Sequence, residues 1–209
     1  MDTKDYLHYI VDEIHSVVVA TIDSEGLPVT CVIDIMLADD DSLYFLTAKG
    51  KSFYDRLTAN PNISLTGMKG ADTMSSQSVT IRGAVRELSG ELLPKLFERN
   101  PYMMDIYPNE QSRSALTVFQ IYKGSGELFD LSQKPMFRQS FSFGGAAQTL
   151  SGYYVNDSCI GCKLCYSVCP QKCIDISVKP VIIQREHCLH CGNCAEICPV
   201  GAVARGEAK

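Results

Sequence analysis

At 209 residues the chain exceeds one small module and suits two domains. Its 45% hydrophobic and 21% charged residues are ordinary for a soluble globular protein, and a formal charge of −5 argues against nucleic acid as the main partner, because phosphate binding needs a basic surface. No apolar run approaches the roughly 20 residues that span a bilayer. Met1-Asp2-Thr3-Lys4-Asp5 lacks the charged-then-apolar pattern of a signal peptide, so the chain reads as cytoplasmic, with no membrane partner.

The first 142 residues read mostly as strands. Leu7, Ile10, Val11 and Ile14 share one face at helical spacing and predict an opening helix. A β-branched run follows over 16–23, a turn signal at Ser24-Glu-Gly26-Leu-Pro28, and a second strand over 29–36. Asp39-Asp40-Asp41 predicts a turn and has no ligand-spaced loop after it for calcium. A third strand covers 42–47, and Lys49-Gly50-Lys51-Ser52 introduces a short helix over 53–60, stopped by Pro61. Further strands are predicted over 63–68, 79–88, 115–123 and 127–131, with a helix near 91–100. Six or seven strands with few helices indicate a mainly β barrel or sandwich rather than a parallel sheet.

Several phrases, taken in order, carry a family likeness: Val17-Val-Val-Ala-Thr21, Gly26-x-Pro28, Leu43-Tyr-Phe-Leu-Thr47, Lys51-Ser52, Asn60-Pro61-Asn-Ile-Ser-Leu65 and Val79-Thr-Ile-Arg-Gly-Ala84. Together they resemble the FMN-binding split barrel of the pyridoxamine-phosphate-oxidase superfamily, across nearly all of residues 3–142. The resemblance implies a six- to seven-stranded split β-barrel with flanking helices, and a homodimer with flavin between the subunits. It places Thr30, Cys31 and Val32 along the isoalloxazine and ribityl chain, with Gln77 or Ser78 as a further contact. For Cys31 a small core residue is an equal reading. A flavin phosphate wants cations and hydroxyls beside exposed backbone N–H groups, and Thr47, Lys49, Lys51 and Ser52 supply them where a strand runs into a helix. The bland alternative for Lys49 and Lys51 is a solvated loop. The chain has no tryptophan and lacks, after the barrel, the Arg- and Trp-bearing tail of a true pyridoxamine-phosphate oxidase, which argues against vitamin B6 oxidation.

Residues 143–152 are small and polar, as a linker should be, and separate two very different cysteine contents. Cys31 stands alone before position 159, and nine of the ten cysteines fall between Cys159 and Cys198. Without an export signal such density points to metal or redox chemistry rather than disulfides. Two runs repeat one spacing, C-x2-C-x2-C-x3-C-P: Cys159, Cys162, Cys165, Cys169, Pro170, then Cys188, Cys191, Cys194, Cys198, Pro199. Zinc sites usually pair two C-x2-C knuckles and have no tetrahedral use for a third cysteine at that spacing, so zinc is the weaker reading. Residues 153–205 resemble bacterial-type two-cluster ferredoxins, a small α+β fold holding two [4Fe–4S] clusters. In such proteins the fourth cysteine of each run, read as starting a short helix, serves the other cluster. The resemblance thus implies one cluster on Cys159, Cys162, Cys165 and Cys198, and another on Cys188, Cys191, Cys194 and Cys169. Cys173 is read as a buried small residue near a cluster, with a spare ligand as the lesser alternative. His187 and His190 are expected at the surface.

Cubanes shuttle single electrons and a flavin accepts one or two, so the pairing predicts an FMN-dependent oxidoreductase fed by its own ferredoxin domain. It would pass electrons between a redox partner protein or small-molecule acceptor, the clusters, FMN and a substrate, in a host that favours anaerobic life. No catalytic acid–base dyad or nucleophile stands out. The alternatives are an electron carrier without its own substrate, and a flavin- or haem-binding sensor. Haem would need an axial ligand, for which only His8 and His15 precede the cysteine-rich region.

Overall fold

In the computed structural model, which describes residues 2–148 and 151–207, local chemistry sets the first element. Asp2 and Asp5 cap each other's backbone N–H reciprocally, at 3.0 and 2.9 Å, and start helix α1 (Thr3–Tyr9). The helix widens into a π-turn over Ile10–Ile14, and His15 ends it at φ 62° and ψ −66°. Leu7, Ile10 and Val11 are buried, as the helical face predicts.

Strands β1 (Ser16–Ile22), β2 (Pro28–Asp34), β3 (Leu37–Ala38) and β4 (Leu43–Ala48) follow, then helix α2 (Ser52–Ala59) and strand β5 (Asn62–Lys69). After β6 (Gln77–Leu88) come the short helices α3 (Leu93–Arg99), α4 (Met103–Ile106) and α5 (Glu110–Arg113), and then the long strands β7 (Leu116–Asp130) and β8 (Phe137–Phe143). The strands form one curled sheet in the order β2-β1-β5-β6-β7-β4-β3, with β8 pairing β7. This is the mainly β half-barrel with flanking helices expected from the strand count. Period-two alternation fixes its faces: Val17, Val19 and Thr21 point inward on β1, and Ile63 and Leu65 on β5. Phe45 and Phe119 stack at 5.6 Å between centroids in the core.

One prediction is corrected. The strands expected over 115–123 and 127–131 are a single strand, β7, running through Lys123-Gly124-Ser125-Gly126. Its glycines are not breakers. A Cβ on Gly124 would stand 2.8 Å from Phe143 and 2.9 Å from the Arg82 carbonyl, and one on Gly126 2.6 Å from both Phe141 and the Thr80 carbonyl. They are glycines because neighbouring backbone and aromatic rings come too close for a side chain.

By contact density the chain divides into two units. The first comprises Met1–Lys69, Ser78–Glu127 and Phe141–Ala147; the second comprises Gly70–Gln77, Leu128–Ser140 and Gln148–Lys209. In the second, β9 (Ser151–Val155) pairs with the last strand, helix α6 (Leu164–Val168) follows the first cysteines, and β10 (Ile174–Asp175) pairs with β11 (Ile182–Ile183). Helix α7 (Asn193–Glu196) and strand β12 (Val203–Glu207), the partner of β9, complete it. Of the segment read as a linker, Phe143 ends β8 and Ser151 and Gly152 open β9. Thr149 and Leu150 lie outside the described residues, as do Met1, Ala208 and Lys209. Among the described residues no helix is long and apolar enough to cross a membrane.

Candidate functional site

The small unit is built around cysteines. Each run turns tightly through a left-handed residue before its helix, Lys163 at φ 65° before α6 and Gly192 at φ 88° before α7. Cys165 and Cys194 therefore sit inside the helices and are buried. The fourth cysteines follow the helices rather than start them: Cys169 caps the end of α6, and Cys198 lies two residues past α7. That placement sends each toward the other run. One cavity is lined by Cys169, Cys173, Cys188, Cys191 and Cys194. A second is lined by Cys159, Cys162, Cys165 and Cys198. Apolar side chains close both, Ile174 and Ile183 in the first and Val155 and Val181 in the second. Backbone N–H groups point at the sulfurs, His190 N at Cys188 Sγ (3.4 Å) and Ala202 N at Cys198 Sγ (3.2 Å), which favours thiolate.

Cys173 is buried, as expected, with its sulfur 3.6 Å from that of Cys169. The two histidines differ from expectation. Neither is a free surface residue: His187 Nδ1 donates to the Met136 carbonyl at 2.9 Å, and His190 Nδ1 accepts from Arg138 Nη1. Sequence reasoning missed Arg138, which lies far from the cysteines in the chain.

In the larger unit the predicted phosphate-binding groups come from the end of β4 and the start of α2. Thr47 is buried, and its Oγ1 has no hydrogen-bond partner among the described residues. Lys51 is the N-cap of α2 and offers no side-chain cap, so the first backbone N–H groups of the helix remain for an outside acceptor. Lys49 approaches Glu87 Oε1 at 3.6 Å, and Glu87 also accepts from Thr117 Oγ1 (2.7 Å) and Tyr54 OH (3.0 Å). The Thr117 bond, against a smaller desolvation cost, holds the Glu87 carboxyl below its ordinary range. Arg56, also missed, donates to Thr21 Oγ1 (2.8 Å) and Ser52 Oγ (3.2 Å). Its spacing of four from Ser52 on one helix face was the available signal.

The β2 residues divide between two faces. Thr30 and Val32 lie on the open face opposite Ala20 and Val18, whereas Cys31 pairs with the fully buried Val19 on the inward face. Burial pushes the Cys31 thiol up, against the fields of Arg56 and Lys51. Gln77 belongs to the second unit and donates through Nε2 to Asp130 at 2.9 Å. His15, considered as a haem ligand, is engaged with Tyr102 OH at 3.1 Å, and Tyr102 donates to Asp34 Oδ2 at 2.8 Å. Burial and the Asp34 carboxylate push the Tyr102 phenol well up. Burial alone would raise Asp34 as well, but hydrogen bonds from Ser16 and Tyr102, with His15 nearby, carry it below its ordinary value.

The fold resembles that of a NimC/NimA family protein from Clostridium acetobutylicum, at TM-score 0.57 and 17% identity over 67% of this chain and 92% of that one. It also resembles a haem-binding protein from Mycobacterium smegmatis, at TM-score 0.54 and 14% identity over 69% of this chain and 59% of that one. In sequence, the pyruvate synthase subunit PorD of Methanothermobacter marburgensis is 41% identical over 59 residues, 28% of this chain and 69% of that protein. The chain spans about half the length of two bacterial ferredoxins that it matches at 38% identity. The 4Fe-4S dicluster domain matches residues 158–202. With the pyridoxamine 5'-phosphate oxidase family matching residues 3–122, more than half of its length, the chain belongs to that family and carries an iron–sulfur dicluster domain on the same polypeptide.

Proposed function

We propose that the chain is an iron–sulfur flavoprotein that relays electrons between a redox partner, two [4Fe–4S] clusters and FMN. The observation that carries this reading is the pair of cysteine-lined cavities, each gathering three cysteines of one run and the fourth of the other. Four sulfurs converging on a cavity with apolar walls are the donor set a cubane needs. Cys159, Cys162, Cys165 and Cys198 hold one cluster, and Cys188, Cys191, Cys194 and Cys169 the other. The unpartnered Thr47 hydroxyl, the α2 N-terminus, Lys51, Ser52 and Arg56 suit the phosphate of FMN, and Thr30 and Val32, on the open face of β2, are assigned to the rest of the cofactor.

Bound cubanes supply one-electron steps, and a bound flavin supplies one- or two-electron exchange with an organic molecule. The protein's own residues contribute binding and exclusion of water. Apolar walls keep solvent from Cys165, Cys188 and Cys194, while Cys162 and Cys191 are exposed, and the cationic groups at α2 neutralise the phosphate. The open face of β2, β1 and β5 carries Val18, Val32 (69% exposed) and Met68 (64% exposed), an apolar patch that supports a homodimer built on this face. The partner is a redox protein or a small-molecule electron acceptor, in keeping with the pyruvate synthase subunit and the ferredoxins among the relatives.

Anaerobic purification followed by iron, sulfide, flavin and zinc analysis of one sample tests the reading. About eight irons and one FMN per chain are expected. Eight irons without flavin leaves a ferredoxin joined to a barrel and removes the flavin half of the proposal; zinc in place of iron removes the other.

A further inference from the structure

The two cysteine runs share one spacing but differ at all seven positions between their cysteines, and one of those differences changes what surrounds a cluster. At the third position the first run has Gly161, at φ 72°, and the second has His190, at φ 57°. A side chain in the left-handed region costs about 1–2 kcal/mol, which glycine avoids. The first run carries the same strain at Lys163, φ 65°, where the second has Gly192, so what sets His190 apart is not the strain but the contact its side chain makes.

That contact is Arg138. Its Nη1 donates to His190 Nδ1, while its guanidinium lies over the Phe129 ring at 5.1 Å. The imidazole is fixed from another side by Gly152, where an added Cβ would stand 3.1 Å from Nε2. Arg138 and His190 are both half-buried, so the guanidinium is a held charge rather than a swinging surface group. Its field reaches Cys188 as well as His190, and Arg185 and Arg205 add to it at His190. Near the other cavity stand Lys163 in the lining, Lys179 beside Gly161 and Lys172 against Tyr166 of α6, all with exposed side chains.

Adding an electron to a cluster adds a negative charge. A cation held out of water stabilises that reduced state, whereas exposed lysines are screened. We propose that Arg138, tethered by His190 and Phe129, is a potential-setting residue that makes the cluster at Cys188, Cys191, Cys194 and Cys169 the higher-potential member of the pair. One electron from an external reductant then settles there first, with no bond made or broken. This rests on the cluster reading above.

The test is a redox titration of the intact anaerobic protein with dithionite, followed by EPR and visible absorption, beside iron and sulfide counts. Wild type is expected to show two separate midpoints. Arg138→Gln lowers the higher midpoint and leaves the lower one in place, and Arg138→Lys, which keeps the charge, retains most of the separation. Two clusters titrating together in wild type overturn the proposal. So do unchanged midpoints, or a shift of the lower one, in an Arg138→Gln protein of full iron content. If Arg138→Gln loses iron, His190→Gly decides: glycine fits the turn and only the tether is lost, so a fall of the higher midpoint supports the proposal and no change overturns it. Wild-type protein lacking iron would instead sink the cluster reading itself.

Discussion

Replacing Thr47 by valine exchanges a hydroxyl for a methyl of nearly the same volume, at a residue only 4% exposed. In the flavin-free protein that hydroxyl has no hydrogen-bond partner among the described residues. A buried unsatisfied polar group costs about 1–3 kcal/mol, so Thr47→Val is expected to stabilise flavin-stripped protein by about 1 kcal/mol, or about 2–4 °C in Tm for a chain of this size. The loaded protein should respond in the opposite direction. A hydrogen bond to a charged group contributes about 1.5–3 kcal/mol, so loss of a bond to the FMN phosphate weakens binding roughly 10- to 150-fold. Thermal melts of the stripped protein and flavin-fluorescence titrations read the two effects separately. The reasoning fails if stripped Thr47→Val melts no higher than wild type, or if its flavin affinity is unchanged.

Cys198→Ala removes one sulfur from the cavity shared with Cys159, Cys162 and Cys165. Iron analysis and EPR should show that cluster lost or reduced in iron while the other signal persists; damage confined to the other cluster would reverse the assignment of the fourth cysteines. Gly126→Val drives a side chain into the Thr80 carbonyl and the Phe141 ring, and overpacking of this kind costs about 1–3 kcal/mol, seen as a lower Tm with no change in cluster spectra. Asp34, held below its ordinary pKa, contributes stability that is present above the unfolded value near about 4 and is lost as pH falls through the folded value. Asp34→Asn should therefore be less stable than wild type at pH 7 and lose less stability between pH 5 and 3, as measured by urea unfolding across that range.

The iron–sulfur half was legible because its chemistry is local. Each run supplies three cysteines within seven residues, and the spacing itself encodes the turn that aims them. The barrel was legible through strand alternation and phrase order, since β1 and β5 bury every second residue. What was hidden depends on neighbours distant in sequence. Gly124 and Gly126 looked like breaks because nothing in the chain announces that Phe143 and Phe141 lie over them. Cys31 shared a strand with Thr30 and Val32, and only the pairing register with β1 shows that it faces the other way. Arg138 was invisible because 52 residues separate it from His190.

Arg138 also bears on where the iron–sulfur module begins. Cysteine content alone would cut the chain near residue 152. Yet Leu128–Ser140 cluster with the cysteine-rich segment, and their contacts are specific: the Met136 carbonyl accepts from His187 Nδ1 at 2.9 Å, and Met136 N donates to Gln171 Oε1 at 3.2 Å. His187 directly precedes Cys188, and Gln171 follows Pro170 in the lining of the same cavity. A fragment beginning at 153 would keep all eight cysteines of the two runs but lose the backbone partners of Gln171 and His187 and the charge beside His190. All three losses fall on one cavity, that of Cys169, Cys188, Cys191 and Cys194. Both cavities draw their linings from residues 153–203, so what the fragment loses at that cavity is the layer behind its walls. The two runs are therefore equal in spacing but unequal in support, and the module that sets their difference extends back to the strands that precede it.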